Sequence, residues 1–377
     1  MTSIARRLAA AIAGHDLPGS VAVLPPDPLD EAGWKELRAV VLSERLWGPV
    51  GAAVGSGRLP TTTEQADAAA DDHRSGMARV LEVEATAVAV ASRLGDEGID
   101  YRLLKGLATA HLDHADPSMR GFGDADILIR GEQLAAAEQK CRSMGFDREL
   151  PERRAGFDAR FGKDVTLVAS LELDLHRTLA LGAFGLAVDP ADLWAAPEHL
   201  TLAGRTLHAM DRPRRLAHAF YAAALGDLRP RLGTLRDIAV MLLNKGGSAA
   251  AGEAVELCSR WRGEAVAAEA LRLTGSELQL PDLPLYGWAR SHESDRWSRA
   301  MLRSYPLHGG SNTSTLLSGA LAPMRPKDRA AYLAALILPS RSYRAARVRL
   351  SRSPEWRTGL KELLGRGRSR ADVGRSA

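Results

Sequence analysis

Two aspartates, Asp124 and Asp126, are spaced so that they could bind a metal ion together. They lie in the run Gly-Asp-Ala-Asp-Ile-Leu-Ile, which becomes apolar and β-branched after the second carboxylate and predicts a strand. Residues i and i+2 of a strand point to one face, so both carboxylates would project together and favour a shared cation. Carboxylate oxygens with no thiols nearby favour Mg²⁺ or Mn²⁺ over zinc. Because Mg²⁺ usually keeps substrate phosphate among its ligands, the expected partner is a nucleoside triphosphate. The alternative is a solvated turn.

A lysine and a glycine, Lys105 and Gly106, form a second candidate feature. Residues 101–104 predict a short strand and residues 107–114 a helix, so the pair would occupy a strand-to-helix turn whose N–H groups face an anion. Lys105 adds a positive charge suited to phosphate, and Gly106 allows close backbone approach. The position predicts a phosphate site, although an ordinary strand end has the same sequence.

The run from Leu171 to His176 alternates strictly between apolar and polar residues. A half-buried strand would place Glu172, Asp174 and His176 on one face. Beside the first strand, Asp174 could complete a site for two ions roughly 3.5 to 4 Å apart. Glu172 is a rival for that role, and His176 could orient a carboxylate by hydrogen bonding. Alternatively, Asp174 is a surface residue and His176 bonds a backbone carbonyl.

In chain order these residues resemble the nucleotidyltransferase superfamily of the DNA polymerase β type. The resemblance rests on Lys105-Gly106, Arg120, Asp124-Ala-Asp126 followed by aliphatic residues, a helix ending in Gly-Phe, and Asp174-Leu-His176. More narrowly, the chain is similar to poorly characterised bacterial nucleotidyltransferases from gene clusters for modified peptides and surface polysaccharides. The similarity covers residues 101–179 and continues weakly through downstream helical segments.

The resemblance implies that Asp124, Asp126 and Asp174 bind two divalent ions and that AMP passes from ATP to an acceptor hydroxyl or phosphate. A peptide, a sugar phosphate or RNA could be the acceptor. Well-studied members carry Gly-Ser where this chain has Lys105-Gly106, so a hydroxyl for the γ-phosphate is missing. Lys105 or Arg120 would then contact the phosphates instead.

Composition bounds the class of protein. The 377 residues suggest two or three domains, and no apolar run approaches the roughly 18 residues of a membrane span. The N-terminus predicts an amphipathic helix more readily than a signal peptide. Cys141 and Cys258, the only cysteines, have no Cys-x-x-Cys partner, which disfavours disulfide scaffolds and structural zinc and indicates a cytoplasmic protein.

The pattern of elements predicts an α+β fold with helical regions on both sides of a sheet, and the resemblance implies that the sheet is small and mixed. We expect a helical region over 1–97, a nucleotidyltransferase-like core over 98–210, a helical domain over 211–340 and a basic tail over 341–377. Within these regions the sequence predicts helices at 31–47, 65–94, 131–143, 213–225 and 235–245, strands at 124–130, 164–169 and 171–176, and a β-hairpin within 195–210.

Charge is distributed unevenly along the chain. Residues 325–377 contain 14 Lys and Arg against 4 Asp and Glu, which leaves 36 against 42 in residues 1–324. Arginines recur about every three residues from Arg341 to Arg352 and could form a basic helix for an anionic partner, or only a solvated helix.

Two alternatives to an enzyme of biosynthesis remain: a non-catalytic nucleotide- or peptide-binding module, and an RNA-modifying toxin.

Overall fold

A mixed β-sheet lies in the middle of the chain, with helices before and after it. The computed structural model describes residues 3–226 and 228–352, with side chains to residue 349. The strands are β1 Tyr101–Leu103, β2 Asp124–Ile129, β3 Asp147–Arg148, β4 Asp164–Val168, β5 Glu172–His176, β6 Glu198–Leu202 and β7 Arg205–Ala209.

The α-helices of the described residues are α1 Ile4–Gly14, α2 Glu31–Glu44, α3 Trp47–Gly55, α4 Thr63–Asp96, α5 Leu107–Leu112, α6 Leu134–Ser143, α7 Phe157–Arg160, α8 Gly182–Ala187, α9 Arg212–Leu225, α10 Leu232–Leu243, α11 Gly247–Arg260, α12 Glu264–Glu277, α13 Tyr286–Ser291, α14 Arg296–Leu302, α15 Asn312–Ser318, α16 Pro326–Ile337 and α17 Arg341–Arg352.

The described strands form one sheet in the order β3-β4-β5-β2-β1-β7-β6. Strand β2 is parallel to β5 and antiparallel to β1, while β6 and β7 form a hairpin. The hairpin turns at Ala203 and Gly204, both with positive φ, as a two-residue turn between twisted strands requires. The predicted α+β fold with a mixed sheet is confirmed. Strand β3 was not predicted, since two residues give no periodicity.

The two faces of the sheet pack against different helices. Ile127 and Ile129 point to the face covered by α4, where Val83 and Val90 complete an apolar cluster. Leu128 points the other way and belongs to a second cluster with residues of α9. Because residues two apart share a face, Asp124 and Asp126 lie on the α9 side.

Local structure at the helix ends accounts for the differences between the predicted and observed helix boundaries. Helix α2 ends at Glu44, before the predicted end at residue 47, because Arg45 adopts a left-handed conformation with φ 57° and its N–H bonds back to Val41 and Leu42. Helix α4 begins with a capping box in which Thr62 and Gln65 exchange hydrogen bonds.

The helical segments on both sides of the sheet contribute to one apolar cluster, in which Leu37 of α2 and Ile238 of α10 are both buried. The division into domains at residues 97, 210 and 340 stays a prediction. Helix α17 agrees with the predicted basic helix, and residues 353–377 of the predicted tail lie outside the described part of the chain. Within the described residues, no helix combines the length and the apolar character that a membrane crossing requires.

Candidate metal and phosphate site

Two buried aspartates face each other across the parallel pair β2 and β5. The register places Asp126 opposite Asp174 and Asp124 opposite Glu172. Single ligand atoms of Asp126, Asp174 and His176 lie within 4.8 Å of one another. Side-chain alternation along both strands therefore produces the acidic face that the sequence predicts.

The carboxylate of Asp126 has two close partners, His176 and Lys105. The Nε2–H of His176 donates a hydrogen bond of 2.8 Å to its Oδ1, and the Nζ of Lys105 lies 3.1 Å from the same oxygen. Burial opposes ionisation of Asp126, but the positive charge of Lys105 and the His176 hydrogen bond outweigh it, so the pKa of Asp126 is held well below its usual range. Asp126 is a carboxylate at neutral pH.

Asp174 lies in a different electrostatic environment, although it is opposite Asp126. The hydroxyl of Thr166 donates a hydrogen bond of 2.7 Å to its Oδ1. Burial, together with the nearby carboxylates of Asp164 and Asp126, raises the pKa of Asp174 despite the opposing effect of His176. A divalent cation would relieve this crowding, and a ligand set of two carboxylates beside an imidazole suits one.

His176 lies behind the carboxylates. Its ring is fully buried, and its Nδ1 has no hydrogen-bond partner among the described residues. Its hydrogen bond to Asp126 fixes the orientation of that carboxylate.

Lys105 and Gly106 occupy the turn between β1 and α5, as predicted. Gly106 has φ +50°, and a Cβ there would lie 3.2 Å from the side chain of Phe122, so both backbone conformation and space favour glycine. Helix α5 has only six residues, so its N-terminus contributes little partial positive charge. Lys105 is therefore the main source of positive charge at this turn.

Asp124 lies at the more exposed end of the acidic face and is paired with a residue that the sequence did not suggest. The Nη1 of Arg45 donates a hydrogen bond of 2.8 Å to its Oδ1. Opposite it, Glu172 is exposed, and its pKa is raised by partial burial and by the charges of Asp174 and Asp124.

Arg120 is held away from solvent by Asp237 of α10. Its Nε lies 2.9 and 2.8 Å from the two carboxylate oxygens, and the Nε2 of His114 donates to Oδ1 at 2.9 Å. Arg120 also donates to the carbonyl of Gly121. These contacts fix the start of the loop that leads into β2.

Three residues near the site escaped the sequence analysis: Arg45, Lys163 and His218. Lys163 lies 2.7 Å from Asp164, and despite partial burial its pKa is raised by Asp164, Asp174 and Asp126. The ring of His218, on α9, lies 6.1 Å from that of His176. Lys163 directly precedes a predicted strand and could have been noticed; Arg45 follows α2 and His218 lies on α9, and neither belongs to a motif.

The similarity of this chain to known proteins is carried by one family model. A family model described as uncharacterised nucleotidyltransferase matches residues 30–278, from α2 to the end of α12. Among solved structures, the chain is similar to the antibiotic-resistance factor ANT(2'')-Ia, with 15% identity, 49% of this chain and 94% of that chain covered, and a TM-score of 0.35. It is also similar to an antigenic nucleotidyltransferase-like protein from Paracoccidioides brasiliensis, with 17% identity, coverage of 48% and 93%, and a TM-score of 0.30. No curated protein matches the chain.

Proposed function

The chain belongs to the uncharacterised nucleotidyltransferase family, and on that premise we propose that it transfers a nucleotidyl group, AMP from ATP, to an acceptor. The acceptor would present a hydroxyl or a phosphate, as a peptide, a sugar phosphate or an RNA does, in the biosynthesis of a modified peptide or a polysaccharide. Mg²⁺ or Mn²⁺ would assist. The free, buried thiols of Cys141 and Cys258 suit a cytoplasmic location.

One observation carries the proposal: Asp126 lies between a second carboxylate and a lysine. Asp174 is its partner across the parallel strands, and the Nζ of Lys105 is 3.1 Å away. Carboxylates that bind a divalent cation beside a cation that binds phosphate are the two components that phosphoryl chemistry requires.

In this proposal the residues have separate roles. Asp126 and Asp174 would hold the metal ions, Asp124 would join them from the exposed end, and His176 keeps Asp126 oriented. When bound, Mg²⁺ would neutralise charge on the triphosphate and polarise the reacting oxygens. Asp174 would also accept the proton of the acceptor hydroxyl.

The acceptor oxygen then forms a bond to the α-phosphorus, the bond from that phosphorus to the bridging oxygen breaks, and pyrophosphate leaves with its electron pair. Lys105 and the backbone of Gly106 hold the triphosphate. Arg120 was expected to do the same; because Asp237 holds its guanidinium, we assign it the positioning of residues 121–123.

Calorimetric titration of ATP with and without Mg²⁺ tests this proposal. The wild type should bind ATP in a metal-dependent way, and Asp126→Asn/Asp174→Asn should bind it at least about 100-fold more weakly, since even residues that only support a ligand account for 10- to 100-fold. Asp192→Asn, which removes an aspartate paired with Arg260, is the control and should bind as the wild type does. Absence of binding in the wild type would overturn the proposal.

A non-catalytic nucleotide-binding module is the second candidate, and the pairing of Asp124 with Arg45 favours it. Incubation with ATP labelled at the α-phosphate separates the two: an enzyme releases pyrophosphate in proportion to time, whereas a module binds ATP without turnover. An RNA-modifying activity would instead require RNA binding that weakens steeply between low and high salt.

A further inference from the structure

Arg45 reaches the acidic face from outside the predicted catalytic core. It is the residue after α2, and its left-handed backbone turns the chain sharply toward the sheet. This conformation is unusual for residues other than glycine and asparagine. The next two residues, Leu46 and Trp47, are buried and anchor the turn. The position of the Arg45 backbone is therefore set by packing.

The loop before Asp124 is shaped to fit this segment. A Cβ on Gly121 would lie 2.6 Å from the carbonyl oxygen of Arg45 and would also meet the ring of Trp47. A Cβ on Gly123 would lie 3.1 Å from the Arg45 guanidinium. Gly121 thus makes room for the backbone of Arg45 and the ring of Trp47, and Gly123 lies against the Arg45 guanidinium, so the loop before Asp124 fits closely against this segment.

The pair itself is easy to exchange. The side chains of Arg45 and Asp124 are 33% and 27% exposed, and ion pairs with such access to water contribute about 0 to 1 kcal/mol. The side chains of Arg120 and Asp237 are only 11% and 3% exposed, and buried pairs are costly to break. Of these two arginines, Arg45 is the one that can leave its carboxylate for another anion.

We propose that Arg45 is a triphosphate-binding residue, held by Asp124 in the ligand-free protein and transferred to the phosphates of the donor when a divalent cation takes Asp124. This inference rests on the proposed function. A guanidinium is a planar, permanently charged donor that can bind phosphate through two hydrogen bonds. Arg45 would add a second cation to the phosphate site beside Lys105.

The first experiment compares Arg45→Asn with a closely matched variant. Asparagine tolerates the left-handed backbone, so the substitution removes the cation with little strain. Arg262→Asn is the control, because Arg262 also has a left-handed backbone, with φ 58°, and instead stacks on Trp297. Calorimetry with Mg²⁺ and inorganic triphosphate should show binding about 10- to 100-fold weaker in Arg45→Asn, the range for a charged hydrogen bond. Arg45→Lys should recover part of this loss, and Arg262→Asn should match the wild type.

The second experiment tests the exchange itself, in EDTA. Without a cation, Asp124 holds Arg45, so Asp124→Asn should bind inorganic triphosphate more tightly than the wild type. In the double variant Arg45→Asn/Asp124→Asn, most of that gain should be lost. A gain that persists in the double variant would mean that the lost negative charge, and not the released arginine, is responsible, and would overturn the exchange.

The outcomes distinguish this inference from the proposed function. If the wild type binds Mg²⁺-triphosphate and Arg45→Asn binds it within about twofold, the role of Arg45 is wrong while the proposed function stands. If the wild type binds neither ATP nor triphosphate, both are wrong. Thermal unfolding of each variant checks that weakened binding does not come from unfolding.

Discussion

Two arginine–aspartate pairs lie on either side of the loop that leads into β2, and they differ in depth. Arg120 and Asp237 are buried, and Asp237 also accepts a hydrogen bond from His114. Arg45 and Asp124 are partly exposed and have fewer partners. The same chemistry can therefore fix a loop at one position and keep a carboxylate available at another, because access to water determines how costly it is to separate the charges.

The largest expected effect concerns the buried pair. Asp237→Asn would remove the anion that balances Arg120 and would weaken the hydrogen bond from His114. Removing one partner of a buried ion pair costs about 3 to 5 kcal/mol, so we expect a fall of this size in the free energy of unfolding in urea. A loss below about 1 kcal/mol would show that the two pairs do not differ in the way their burial indicates.

Lys105 and Asp126 form a third pair of intermediate depth, with a buried carboxylate and a partly exposed ammonium group. Lys105→Met keeps the aliphatic stem and removes the charge. We expect Mg²⁺-ATP to bind about 10- to 100-fold more weakly, as the loss of a charged hydrogen bond predicts. Lys140→Met is the control, because it breaks the ion pair between Lys140 on α6 and Glu97 at the end of α4. Equal affinities in the two variants would exclude Lys105 from the phosphate site.

A pH effect is expected at His218, a buried residue of α9 whose ring lies 6.1 Å from that of His176. Burial, with the nearby positive charge of Lys105, lowers its pKa well below the ordinary value of 6.5. Below about pH 6.5 the unfolded chain binds a proton that the folded chain does not, so this histidine lowers stability as the pH falls.

His218→Gln should remove this contribution. Urea unfolding between about pH 5 and pH 7 should show a dependence on pH that is shallower by up to about 1.4 kcal/mol per pH unit. His292→Gln, at the half-buried end of α13, is the matched control for the loss of an imidazole. An unchanged slope in His218→Gln would mean that His218 can be protonated in the folded protein.

The resemblance to nucleotidyltransferases implied the mixed sheet, whereas strand periodicity alone predicted the common face of Asp124 and Asp126. It also predicted the strand that carries Asp174 and His176, which the register then places beside Asp126. Periodicity could not predict Arg45, which lies 79 residues from Asp124 in the chain. Arginine is a good helix former, so the helical pattern continued past the residue at which the chain turns.

The smallest expected effect concerns Asp124 itself. Asp124→Asn should lower the free energy of unfolding by less than about 1 kcal/mol, because water can solvate Arg45 once its partner is neutral. Urea unfolding of Asp124→Asn and of Asp237→Asn under the same conditions compares the loss of unfolding free energy for the two pairs. A loss above about 2 kcal/mol would mean that Arg45 is needed to hold the loop, and an arginine with that role could not leave Asp124 for a phosphate. A small loss is what an exchangeable contact requires, since the cost of separating Arg45 from Asp124 must be less than the gain from binding the triphosphate.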